Sequence, residues 1–96
     1  MKYKRAHNVN GTSFKGTVLT SYNKLVETFG PPCFDGKGDK VHVVWDLLFE
    51  DEFEDDVVAT IYDWKLSESP YTGDYDWHIG GYNSEAVAKV QKALGL

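Results

Sequence analysis

An α+β fold, a twisted antiparallel sheet of about four to five strands with two helices packed on one face, is what the sequence predicts for these 96 residues. Three observations carry this expectation. Two segments place apolar residues at helical spacing, two others alternate or run together as β-branched and aromatic stretches, and the order along the chain is strand, strand, helix, strand, strand, short strand, helix.

Asn10-Gly11 is a two-residue hairpin signal that separates Lys2 to Val9 from Thr12 to Thr20, where Phe14, Gly16 and Val18 alternate with more polar positions. The domain is therefore expected to open with a hairpin. Ser21 can cap a helix running through Phe29, because Tyr22, Leu25, Val26 and Phe29 form one apolar stripe and Gly30-Pro31-Pro32 ends it. Asp35-Gly36-Lys37-Gly38-Asp39 reads as a glycine-rich loop. Val41 to Phe49 then forms the clearest strand, with Val41, Val43, Trp45, Leu47 and Phe49 on one face and His42 on the other.

Val57 to Trp64 is a second strand of β-branched and aromatic residues, which makes a central hairpin tipped with carboxylates. Ser67 to Asp74, with Pro70 and Gly73, reads as loop, and Trp77-His78-Ile79 as a short third strand. Asn83 or Ser84 caps a last helix that turns Val87, Val90 and Leu94 inward and stops at Gly95.

A chain of this length buries roughly 65% of its unfolded surface, enough for a single domain over residues 1–96 and too little for a core plus a deep multi-substrate cleft. The lone Cys33 forms no internal disulfide and suits a reducing compartment. The start of the chain has bases but no apolar stretch behind them, so neither export nor a membrane span is expected and the cytoplasm is the expected location.

The charge is uneven. Residues 1–40 sum to +4, residues 41–88 to −11 and the last eight to +2, giving the net −5. Six acids stand in one seven-residue stretch, Glu50, Asp51, Glu52, Glu54, Asp55 and Asp56 around Phe53. Scattered bases argue against direct nucleic-acid binding, which needs clustered Lys and Arg. Crowded carboxylates repel one another, so the hairpin tip is not built for stability. Occupying the basic, nucleic-acid-binding groove of a partner protein, with Phe53 as the buried anchor, would explain it. A solvated loop that keeps a sheet end from aggregating explains the same residues. No metal is expected, since no Gly interrupts the run and the EF-hand spacing is absent.

A second candidate surrounds Asp76-Trp77-His78-Ile79-Gly80-Gly81-Tyr82. Gly80-Gly81 between a strand and a helix would leave N–H groups open to an anion such as a nucleotide phosphate. Tyr62, Trp64, Trp77, His78 and Tyr82 would surround a base, and Lys65 would supply a counter-charge; the same aromatics would also serve as core and the glycines as a plain turn. Catalysis has less support. His7, His42 and His78 stand in different segments, no motif surrounds Cys33, and only Asp63 with Asp76 would make an acid and base pair across neighbouring strands, so no enzyme and no cofactor are expected.

On Ala59-Thr60-Ile61-Tyr62-Asp63-Trp64-Lys65 and Asp76-Trp77-His78-Ile79-Gly80-Gly81, the chain resembles short accessory open reading frames of tailed bacteriophages, from about Phe14 through the last helix. The resemblance implies a small accessory protein of the host cytoplasm. By analogy with small acidic phage proteins that inhibit host defence, including anti-CRISPR proteins, it implies a surface-blocking inhibitor without chemistry of its own. In that group the central hairpin closes with a short Asp-Gly turn, so the Glu50 to Asp56 stretch is a departure.

Overall fold

A computed structural model describes residues 2–6, 8–35, 43–51, 54–64 and 73–96. The elements in order are β1 (Lys2–Arg5), β2 (Ser13–Ser21), α1 (Tyr22–Phe29), β3 (Phe34–Asp35), β4 (Val43–Asp51), β5 (Glu54–Tyr62), β6 (Asp74–Gly81) and α2 (Glu85–Ala93). The strands form one antiparallel sheet in the order β1-β4-β5-β6-β2, and β3 also pairs with β4. Both helices pack on the same face, so the α+β expectation holds.

Alternation decides which face each residue takes. Val43, Trp45, Leu47 and Phe49 of β4, Val57, Ala59 and Ile61 of β5, and Trp77 and Ile79 of β6 turn toward the helices and are buried. Leu25 of α1 and Ala86 and Val90 of α2 complete this core from the other side. Trp45 and Trp77 meet edge to face with ring centroids 5.6 Å apart. Their indole N–H groups bracket α1, because Trp77 donates to the Thr20 carbonyl and Trp45 to the Gly30 carbonyl, each at 2.9 Å.

Helix α1 starts and stops as its sequence predicts. The Ser21 hydroxyl accepts from the Lys24 N–H at 3.1 Å, and Gly30, at φ 84°, donates to the Val26 carbonyl. At α2 the side-chain cap is Asn83, whose Oδ1 accepts from the Glu85 N–H at 2.9 Å, while Ser84 makes no such bond. Gly95, at φ 79°, closes that helix.

Four expectations are corrected. The Asn10-Gly11 turn forms, with Thr12 N–H donating to the Val9 carbonyl at 3.2 Å, but it joins no hairpin. Its flanking strands lie at opposite edges, β1 on β4 and β2 on β6. Turn chemistry bends the chain locally; the partner of β1 is chosen by Tyr3, which packs edge-on against Phe29 at 5.0 Å and Phe49 at 5.8 Å. Second, Phe34–Asp35 is a short strand on β4, where a loop was expected. Third, the central hairpin is real but longer at its acidic end, with Asp51 paired to Glu54. Fourth, the strand expected at Trp77 to Ile79 extends over Asp74–Gly81, so Gly80 and Gly81 are inside a strand that is paired on both sides. Residues 36–42 and 65–72, which include His42 and Lys65, lie outside the described residues, as does His7.

Candidate functional site

The acidic stretch is carried on paired strands. Glu50 and Asp51 end β4, and Glu54, Asp55 and Asp56 begin β5, while Glu52 and Phe53 lie outside the described residues. A register shift between Phe49 and Asp51 puts an extra residue on the β5 side, which is the signature of a bulge. Part of the charge is answered within the fold. Lys2 stands opposite Glu50 in register, and the Lys4 ammonium lies 3.6 Å from the Glu50 carboxylate. Both side chains are largely exposed, so this pair contributes about 0–1 kcal/mol. Asp56 is exposed. The basic first strand and the acidic hairpin end are thus neighbours, a juxtaposition that the strand order creates and linear charge counting does not reveal.

The second candidate assembles only in part. Tyr62 and His78 are paired across β5 and β6, and their rings meet at 5.6 Å. Trp64 lies nearly parallel to His78 at 6.4 Å and edge-on to Tyr62 at 6.3 Å, and its N–H donates to the Tyr75 hydroxyl. This cluster is on the face away from the helices, where burial pushes the Tyr62 hydroxyl pKa up from 10.0. Phe14 joins it from β2, 4.9 Å from His78 and opposite Gly80. Sequence reasoning missed Phe14; its signal is a large aromatic in a strand whose cross-strand partner is a glycine. Gly80 leaves the necessary room, since a Cβ there would stand 2.6 Å from Thr60 Oγ1 and 3.6 Å from Tyr62.

The remaining candidates of that group do not line a ligand surface. Trp77 is fully buried on the helix face, because the period of two sends it to the side opposite its neighbour His78. Gly81 faces α2, where a Cβ would come within 2.5 Å of Ala86 Cβ. A ladder-paired Gly80-Gly81 does not form the open anion-binding turn expected of it. Tyr82 is half exposed and its hydroxyl donates to the Asn10 carbonyl at 2.7 Å, which ties the end of β6 to the β1–β2 turn.

The acid and base pair is also undone by alternation. Asp63 is fully buried on the helix side and accepts from the Val43 N–H at 3.0 Å, whereas Asp76 is exposed on the other face. Cys33 accepts from the Asp46 N–H at 3.4 Å. Beside it a groove of about 280 Å³ runs between α1 and the β1–β4 edge, lined among others by Tyr3, Arg5, Pro32 and Asp46. Burial raises the Asp46 carboxyl above its usual 3.8, opposed by the nearby Arg5 charge. Among the described residues no group of three His, Cys, Asp or Glu is arranged to hold a metal ion, and no helix is long and apolar enough to cross a membrane. Comparison with protein-family models, curated proteins and solved structures finds no match in any of the three.

Proposed function

We propose that this chain is a non-catalytic binding protein that presents its acidic hairpin end to the basic, nucleic-acid-binding groove of a partner protein. The observation that carries the reading is that the acidic residues continue the β4–β5 ladder as far as the Asp51 and Glu54 pair. Backbone held in a ladder on both sides of a bulge is ordered before it meets a partner, so it binds with less loss of loop entropy than a coil would. The sequence resemblance alone supports the finer assignment, an inhibitor of a host defence component acting in a bacterial cytoplasm during phage infection.

The test is affinity capture from infected host lysate at about 50 mM and about 500 mM salt, followed by titration of the captured protein. Replacing Glu52, Glu54, Asp55 and Asp56 together by Ser is expected to weaken binding at least tenfold at low salt and to flatten its salt dependence. The same variant should melt no lower than the parent, since it removes like-charge repulsion. Unchanged affinity and salt slope would end this reading.

The ring cluster of Phe14, Tyr62, Trp64 and His78 favours a second reading, a small-molecule binder that sequesters a nucleotide signal by stacking its base. A nucleotide at about 100 times its Kd would add roughly 2.7 kcal/mol of stability in a thermal-shift panel, and Phe14→Ala should abolish that gain. A panel without any shift removes it.

A further inference from the structure

An antiparallel sheet with helices on one side commonly turns polar residues to the other. Here the open side carries a patch of rings. Phe14, Tyr62, Trp64 and His78 are linked ring to ring across β2, β5 and β6, with centroids 4.9–6.4 Å apart, and Phe14 and Trp64 are 55% and 39% exposed. Leu19, 60% exposed, stands diagonal to His78, because Thr17 is opposite His78 and Leu19 is opposite Asp76. A contiguous apolar patch on a solvent face marks an interaction site, whereas single exposed side chains do not.

The charge set beside these rings has one sign. Asp76 is exposed on the same face of β6 as His78, two residues and so about 7 Å before it, and Asp74, also exposed, follows opposite Ser21. Neither carboxylate is in an ion pair among the described residues. Strands β5 and β6 contain no Lys or Arg, and the one base of β2, Lys15, bonds the Ser13 hydroxyl at 2.9 Å. Aromatic faces are the negative part of the ring quadrupole, so the rings and Asp76 attract a cation together, and the same field repels a phosphate.

We propose that this patch is the docking site for an arginine side chain on a basic segment of a partner protein, with the guanidinium stacked on Trp64 and His78 and hydrogen-bonded to Asp76. Two points select this occupant. A guanidinium is planar and weakly hydrated, so it lies flat on ring faces, where an ammonium holds its water. The face is open, and one cation–π contact at an exposed site is weak, so a free small cation is not retained; a chain adds apolar contact with Phe14 and Leu19. The site is separate from the acidic hairpin end. Asp56 and Tyr62 lie on the same face of β5 but six residues apart, roughly 20 Å along the strand, so the patch takes its arginine whether or not the hairpin end meets a groove.

Proton–nitrogen correlation NMR at about pH 8, where histidine is ordinarily neutral, reads this directly. The probes are a terminally blocked peptide carrying two arginines, its lysine counterpart, and adenosine monophosphate. The arginine peptide should move the Trp64 indole and the amides of Thr17, Asp76 and His78, with a Kd on the order of 1 mM or below. The lysine counterpart should bind at least about threefold more weakly. Asp76→Asn and Trp64→Leu should each weaken the arginine peptide about fivefold or more and melt close to the parent, since both side chains face solvent. If Trp64→Leu does not fold, Phe14→Leu takes its place. In the acidic-hairpin Ser variant the same resonances should move as in the parent, which keeps this inference separate from the proposed function. Shifts confined to the hairpin end, an Asp76→Asn variant that binds like the parent, a lysine peptide that binds as tightly, or a nucleotide that moves these resonances at lower concentration than the arginine peptide would each overturn it.

Discussion

Trp77→Ala is expected to cost about 3–5 kcal/mol of stability, a large part of the roughly 5–15 kcal/mol that a domain of this size holds. Three losses combine. A fully buried indole leaves a cavity in the core on the helix face of the sheet, the edge-to-face contact with Trp45 disappears, and the Thr20 carbonyl loses the N–H that reaches it at 2.9 Å. Urea unfolding followed by far-UV circular dichroism gives the number. Trp77→Phe fills most of the space and keeps an aromatic edge, so it should cost clearly less, about 1–2 kcal/mol, chiefly for the unanswered carbonyl. Equal losses for the two variants would mean that the hydrogen bond, and not the packing, dominates at this position.

Gly81→Val is the second large effect, and it acts by crowding. A single Cβ at Gly81 would lie 2.5 Å from Ala86 Cβ and 3.1 Å from the Val58 carbonyl oxygen, so the first turn of α2 must lift off the sheet. Overpacking of this kind costs about 1–3 kcal/mol for one methyl and more for the branched side chain. The backbone is not the cause, because Gly81 is absent from the glycines with positive φ. The diagnostic is a double-mutant cycle. Ala86→Gly removes the atom that is struck, so in a Gly81→Ala background it should recover at least about 0.5 kcal/mol beyond additivity. Strict additivity would place the strain at Val58 instead.

These two positions also show how far the sequence could be read. The period of two that marks Trp45, Leu47 and Phe49 as one face is a local property that β4 and β5 follow, and the 3.6-residue period of the two helices is equally local. Ser21 and Gly30 mark α1 because capping satisfies groups within one turn of the helix. The failures share another cause. Which strand lies beside β1 depends on contacts between residues far apart in sequence, and Asn10-Gly11 bends the chain equally well whether its neighbours pair or part. Gly80-Gly81 resembles a turn until the strand on each side is known; one glycine then makes room for rings and the other for a helix. The ring cluster was half legible, since alternation puts His78 beside Tyr62 only after β5 and β6 are placed in register, and Phe14 enters by way of β2.

The turn at Val9 and Thr12 carries the chain from one edge of the sheet to the other, and this has a kinetic consequence. β4 and β5 pair across a short connection, whereas β2 must find β6 with most of the chain between them, as in the pairing of Ser13 with Gly81. Closing a longer loop adds entropy cost ahead of any reward, so the central hairpin is the natural nucleus, β6 joins it next, and β2 arrives last with α1 attached. Until that arrival the outer edge of β6 is bare, and a β2 strand from another molecule fits it as well as its own. At high concentration refolding therefore becomes a contest between completing one chain and exchanging strands between two.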